Sequence, residues 1–142
     1  MKVRELMSKP VIRIHADEPV TVAARTLTHY NIGALPVCGT DGRLCGVITD
    51  RDIVTRCLAA ERDLSHTRVC DVMSSGVLSV EADADMALAA HMMGHRQVRR
   101  LPVVENGRLC GMISLGDLAS CEDTAYDAMD VFTEITGNVS NR

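Results

Sequence analysis

An internal repeat constrains the fold of this chain more than any other feature of the sequence. "GRLCGVITDRD" (residues 42–52) returns as "GRLCGMISLGD" (107–117), with seven of eleven positions identical. Two further matches, both at an offset of 66 residues, pair "ELMS" (5–8) with "DVMS" (71–74) and "IGALPVC" (32–38) with "VRRLPVV" (98–104). A repeat of this length is one supersecondary unit, so the chain is expected to fold as two similar units.

Each copy has the same pattern of predicted elements, in the order β-α-β-β-α. A short strand is expected at 11–14 and at 77–80, and a two-strand hairpin turns at 40–42 and at Asn106-Gly107. Apolar residues at helical spacing predict an amphipathic helix in each copy: Val20, Ala23, Ala24 and Leu27 in the first, Met86, Ala89, Ala90 and Met93 in the second.

These patterns predict an α/β fold of the α+β kind, with two pseudo-symmetric units packed sheet against sheet and a C-terminal helix. One unit alone cannot bury both faces of so small a sheet. The predicted boundaries are residues 1–62 and 63–121 for the units and 122–142 for an acidic helix and tail. Tyr126, Met129, Phe132 and Ile135 are expected to share one face of that helix, which either covers the body or forms a dimer contact.

Composition and charge exclude several classes of function. Residues 1–121 hold 14 acidic and 14 basic side chains, so a neutral body gives no support to nucleic-acid binding. No apolar run approaches the ~18 residues of a membrane span, and the first ten residues lack the apolar core of a signal peptide. We therefore expect a cytoplasmic protein with reduced cysteines. No catalytic set of residues is evident, and the sequence predicts a protein that is not an enzyme.

The repeated motif resembles a known family. The pattern hydrophobic–Gly–hydrophobic–hydrophobic–Thr/Ser–x–x–Asp, preceded by an "LPV" strand, is similar to the CBS domain, whose tandem pairs are called Bateman modules. "IGALPVCG", "ITDRDIV" and "QVRRLPVV" also resemble stand-alone two-domain members of the hypoxic response type. The resemblance implies two CBS units that bind AMP, ADP, ATP or S-adenosylmethionine in the clefts between them. It also implies a homodimer.

The first copy carries candidate ligand residues at the start of its final helix. Thr49 and Asp52 lie at i and i+3 on one turn, so their side chains point the same way. A carboxylate there can accept both ribose hydroxyls, and Arg51 can bind phosphate. The resemblance implies that the backbone at Gly33, Ala34 and Leu35 reads the adenine edge. With no aromatic residue in this region, aliphatic side chains such as Ile12 and Val37 are expected to hold the base.

The second copy keeps Ser114 and Asp117 but has Leu115-Gly116 where the first has Asp50-Arg51. Arg99 and Arg100, which precede Leu101, are expected to supply the missing positive charge. The two sites are therefore predicted to differ in affinity, with the phosphates near Arg51, Arg99 and Arg100.

Two other readings of these residues remain open. Thr-x-x-Asp and Ser-x-x-Asp are also helix-capping patterns that need no ligand, which is compatible with a stress-associated interaction protein. A redox or metal responder is the third reading. His91 and His95 lie at i and i+4, Cys38 and Cys45 flank one hairpin, and His29 and Cys110 are repeat equivalents of His95 and Cys45.

The sequence thus predicts a non-catalytic sensor that requires no cofactor and takes an adenine nucleotide or adenosyl compound as regulatory ligand. Because no effector domain is fused to the repeats, its signal is expected to pass through homodimerisation or an effector protein that the sequence does not identify. No nucleic-acid or membrane partner is expected.

Overall fold

The computed structural model describes the backbone of residues 1–140 and the side chains of residues 1–137. The first repeat contains α1 (Val3–Leu6), β1 (Ile14–His15), α2 (Val20–Tyr30), β2 (Ala34–Cys38), β3 (Leu44–Thr49) and α3 (Asp50–Asp52), which continues as a π-helical segment (Ile53–Leu58). The second contains α4 (Val69–Val72), β4 (Val80–Glu81), α5 (Met86–Arg96), β5 (Arg100–Glu105), β6 (Arg108–Ser114) and α6 (Leu115–Ala119). A 3₁₀ turn (Glu122–Thr124) then leads into α7 (Ala125–Ser140).

Two three-stranded sheets, ordered β1-β2-β3 and β4-β5-β6, confirm the predicted two-repeat α/β fold. In the first sheet β1 runs parallel to β2, with Ile14 paired with Val37, and β2 runs antiparallel to β3. Between β5 and β6, Asn106 and Gly107 both have positive φ (54° and 79°), as a type I′ hairpin turn requires.

Helices α2 and α5 end where their terminal backbone groups are satisfied. Asp85 begins α5 by accepting a hydrogen bond from the backbone N–H of Ala87 through Oδ1 at 2.8 Å. Both helices stop at a residue in the left-handed conformation, Asn31 after α2 and Gln97 after α5. Their predicted apolar faces are largely buried and fill the cores of the two units.

Neither compact unit is continuous in sequence. One unit, here the first-repeat unit, is formed by Ile12–Val77 with Gly107–Leu109. The other, the second-repeat unit, is formed by Met1–Val11, Leu78–Asn106 and the chain from Cys110 onward. The predicted boundaries at 62/63 and 121/122 mark the sequence repeats, and they remain predictions.

The segment that opens each repeat packs on the sheet of the other repeat. In the second-repeat unit, the backbone N–H of Val3 donates to Ala84 O at 2.9 Å, and Ser8 N donates to Met112 O at 2.8 Å. In the first-repeat unit, Val69 N donates to Glu18 O at 2.8 Å. Each unit therefore contains the opening segment of one repeat and the sheet of the other.

The predicted face of α7 needs correction. Ala128, Val131 and Ile135 are buried in the second-repeat core, whereas Tyr126, Met129 and Phe132 are exposed. Ile135 therefore belongs to the buried face and not to the face of the two aromatic residues. None of the described helices combines the length and apolar character needed to cross a bilayer.

Candidate ligand site

The predicted site residues Thr49 and Asp52 cap the N-terminus of α3. Thr49 Oγ1 accepts a hydrogen bond from Asp52 N at 3.0 Å, and Asp52 Oδ2 accepts one from Thr49 N at 3.0 Å. This reciprocal arrangement is a capping box, which satisfies two backbone donors that the helix itself leaves unpaired. The pair is therefore structural whether or not a ligand is bound.

Ser114 and Asp117 repeat this geometry at the start of α6. Ser114 Oγ accepts from Asp117 N at 3.1 Å, and Asp117 Oδ2 accepts from Ser114 N at 2.8 Å. The two capping boxes occupy equivalent positions in the two repeats, at the end of β3 and of β6.

Each capping Asp uses only its Oδ2 atom for the cap. Oδ1 of Asp52 lies 3.7 Å from Nη1 of Arg56, in an ion pair whose carboxylate is almost buried. Oδ1 of Asp117 has no hydrogen bond or ion pair within the described part of the chain, and it is not a buried unpaired atom. Asp117 can therefore accept hydrogen bonds from a ligand without giving up its cap.

The start of β2 lies beside the start of α3. Asp50 N donates to Gly33 O at 3.1 Å, and Ala34 is paired with Thr49 across the sheet. The Asp50 carboxylate also lies over Gly33, with Oδ2 3.6 Å from the position a Cβ would occupy there. Arg51 is exposed, and its side chain makes no ion pair within the described residues. An acid and a base thus adjoin each other in the first repeat.

The equivalent place in the second repeat has a different charge. Leu115 N donates to Arg99 O at 2.8 Å, the counterpart of the bond from Asp50 to Gly33. Arg99, Arg100, Ser114, Leu115 and Gly116 then contribute to the wall of one cavity of 710 Å³ within the second-repeat unit. The structure thus brings three predicted site residues together there: Arg99, Arg100 and Ser114.

Residues that the sequence prediction missed complete this cavity. They come from the end of α6 and from α7: Ala119, Ala125, Ala128, Met129, Phe132 and Thr133. The signal that could have identified them was the placement of two of the three aromatic residues of the chain in this acidic segment. In the sequence alone, this placement indicates only a face that covers the body or forms a dimer contact.

Three of the predicted residues have side chains that lie inside the cores. Leu35, Val37 and Leu101 are 1% exposed or less, so only their backbone groups are available to a ligand. The expectation that Val37 holds a base through its side chain does not fit this structure, because that side chain packs in the first-repeat core. Of the predicted aliphatic pair, Ile12 is exposed, at 36%.

The cysteine and histidine residues form no evident metal centre. Among the described residues, no group of three or more His, Cys, Asp or Glu side chains is placed to hold a metal ion. The rings of His91 and His95 stack at 5.9 Å on α5. Burial raises the pKa of the Cys38 and Cys45 thiols and so disfavours the thiolate that metal binding and redox chemistry need. Cys45 Sγ instead donates to Val37 O at 3.3 Å.

The family follows from comparison with known proteins. The CBS domain model matches residues 3–59 and again residues 69–123. The chain belongs to the CBS domain family. Hypoxic response protein 1 of Mycobacterium tuberculosis (strain H37Rv) is 37% identical over 116 residues, which is 82% of this chain and 81% of that protein.

Two solved structures of CBS proteins are similar to the chain. The crystal structure of Hypoxic Response Protein I with two coordinated zinc ions has a TM-score of 0.75 at 36% identity, covering 84% of this chain and 98% of that one. The CBS domain pair of protein MJ0100, in complex with 5′-methylthioadenosine and S-adenosyl-L-methionine, has a TM-score of 0.69 at 27% identity, covering 84% and 94%. CBS pairs related to this chain therefore include one that binds adenosyl ligands.

Proposed function

We propose that this CBS protein is a non-catalytic regulator that binds an adenine nucleotide or an adenosyl compound at the starts of α3 and α6. The observation that carries the proposal is the Asp117 carboxylate, which caps α6 through Oδ2 and leaves Oδ1 without a partner among the described residues. Asp117 directly follows Gly116, which lines a cavity together with two arginines. A carboxylate so placed can accept both hydroxyl groups of a ribose, and a guanidinium can bind a phosphate.

Relatives support the same ligand class. The MJ0100 pair binds two adenosyl ligands, and its similarity to this chain extends over 84% of the sequence. At the first repeat, Gly33, Ala34 and the Thr49–Asp52 cap form the equivalent candidate site. Our proposal keeps the backbone of Leu35 and Leu101 as groups that meet the base and excludes their buried side chains.

The response to ligand would pass to other molecules through the protein surface. We infer a cytoplasmic homodimer that acts on an effector protein. The 37% identity to a hypoxic response protein makes a stress response the setting to test first. Binding can change such contacts only when the ligand has a higher affinity for one arrangement than for the other.

The decisive experiment separates ligand binding from helix capping. In Asp117→Asn, the amide oxygen still accepts from Ser114 N, but an NH₂ group replaces the available oxygen and cannot accept from a ribose. We expect wild type to be stabilised in thermal shift by AMP, ADP, ATP or S-adenosylmethionine. At a hundred times Kd the ligand adds about 2.7 kcal/mol. We expect Asp117→Asn to bind roughly tenfold or more weakly while keeping its stability without ligand.

Other outcomes distinguish the alternatives. No stabilisation of wild type by any of these compounds at millimolar concentration would refute the proposal and leave the capping boxes with a structural role alone. A shift with zinc that disappears in His91→Ala or Cys38→Ala would instead favour a metal responder.

A further inference from the structure

The cavity of the second-repeat unit is built from three elements, of which one lies outside the repeated sequence. The start of β5 and the start of α6 form two walls, and α7 forms the third. The CBS domain model ends at residue 123, two residues before α7 begins. A volume of 710 Å³ falls in the range of small-molecule pockets, about 300–1,000 Å³.

The charged residues around the cavity are basic. Arg99 and Arg100 are in its lining, and no Asp or Glu is. Neither guanidinium makes an ion pair or hydrogen bond with another described residue, whereas Arg4, for example, binds Asp83 and Glu105. The cavity therefore favours an anionic ligand over a neutral one.

The wall from α7 is apolar and held in place. Ala128, Val131 and Ile135 anchor the helix in the second-repeat core. Next to this anchored face, Met129 and Phe132 line the cavity together with Ala128, and they remain 66% and 53% exposed. A large exposed aromatic ring on an anchored helix offers a flat surface to a planar ligand group at little conformational cost.

We propose that Phe132 stacks on the adenine base of a phosphate-bearing nucleotide whose phosphate is bound by Arg99 and Arg100. This inference rests on the proposed function and deepens it, because it assigns the ligand class and a base-binding residue of one site. The aromatic group that the repeats lack is then supplied by α7, with the Met129 thioether beside it.

The test uses the full chain with AMP, ribose 5-phosphate and adenosine as probes in isothermal titration. Removing the ring in Phe132→Ala is expected to weaken AMP binding about tenfold and to leave ribose 5-phosphate binding unchanged. The double variant Arg99→Ala/Arg100→Ala is expected to weaken both phosphate compounds and not adenosine. Tyr126→Ala is the matched control, because Tyr126 lies on the same helix, is 83% exposed and does not line the cavity.

A fluorescence measurement provides a second readout. The chain contains no tryptophan, so Phe132→Trp introduces a single indole at the cavity. Quenching or a wavelength shift on addition of AMP, absent in Tyr126→Trp, would support stacking. If wild type binds AMP and Phe132→Ala binds it equally well, the inference is wrong while the proposed function stands. If wild type binds none of the three probes, this inference is wrong, and the thermal-shift series with ADP, ATP and S-adenosylmethionine decides the proposed function separately.

Discussion

At the scale of single residues, the glycine of the repeated motif has a packing role. A Cβ at Gly46 would lie 2.5 Å from Met73 Sδ and 2.8 Å from Ser74 O. A Cβ at Gly111 would lie 2.5 Å from Met7 Sδ. The "Met-Ser" pair of each repeat packs directly on the motif glycine of the other repeat. This contact explains why the pair and the glycine both recur.

We predict that Gly46→Ala destabilises the protein by about 1–3 kcal/mol, the usual cost of an extra methyl group in a close-packed region. The Ser74 carbonyl cannot move freely, since it accepts from Val47 N at 2.9 Å. Urea denaturation measures the change. Gly137→Ala is the control: it lies in α7 with nothing within 4 Å of its Cβ position, so it is expected to leave stability unchanged or raise it by up to about 1 kcal/mol. A change of Gly46→Ala within the error of that control would contradict the packing argument.

At the scale of elements, the sequence predicted the order correctly and some boundaries incorrectly. The first strand was expected at 11–14 but begins at Ile14. Pro36 accounts for part of this late start of β1. Its partner in β3, Val47, hydrogen-bonds through both its N–H and its C=O to Ser74, and so not to Pro36. The edge of Pro36 that would carry an N–H in any other residue therefore faces β1. Without that donor, the parallel pairing of β1 and β2 is limited to Ile14 and His15. Such a limit depends on register, which hydrophobic pattern alone does not give.

The loop between the repeats provides a prediction of pH dependence. Asp63 Oδ1 accepts from Ser65 Oγ at 2.7 Å and from Ser65 N at 3.0 Å, and Oδ2 lies 2.8 Å from His66 Nδ1. These hydrogen bonds lower the pKa of Asp63 from 3.8 to about 2, and the bond from the Ser65 hydroxyl has the largest effect.

A carboxyl group whose pKa is lower in the folded state than in the unfolded state stabilises the folded protein at pH values above the unfolded pKa. This stabilisation is lost as the pH falls and the carboxylate of the folded protein is protonated. We therefore expect the contribution of Asp63 to be complete above pH 4 and to disappear between about pH 4 and pH 2. Asp63→Asn should reduce the slope of the urea midpoint against pH in that window. Asp130→Asn, an exposed residue without a hydrogen bond to any described residue, should leave the slope unchanged. Equal slopes in wild type and Asp63→Asn would disprove this assignment.

At the scale of the whole molecule, the candidate site could be predicted from sequence only where the repeat itself supplied it. Thr49, Asp52, Ser114 and Asp117 were identified because they recur in register, and their reciprocal hydrogen bonds follow from helix geometry. Phe132 belongs to no repeat, and its position depends on how α7 packs on the second-repeat core. The burial of Val37 likewise depends on tertiary packing that an alternating pattern does not resolve.

The difference in charge between the two repeats predicts that they bind an anionic ligand unequally. Arg51 adjoins Asp50 in the first repeat, whereas Arg99 and Arg100 line a cavity without an acid in the second. We expect AMP titration to give two classes of site, the tighter at the second repeat. Arg51→Ala should remove only the weaker class. Asp50→Asn should strengthen that class several-fold, because it removes a negative charge next to Arg51, the residue expected to bind the phosphate. A single class of site unaffected by either variant would show that the repeats are equivalent despite their charges.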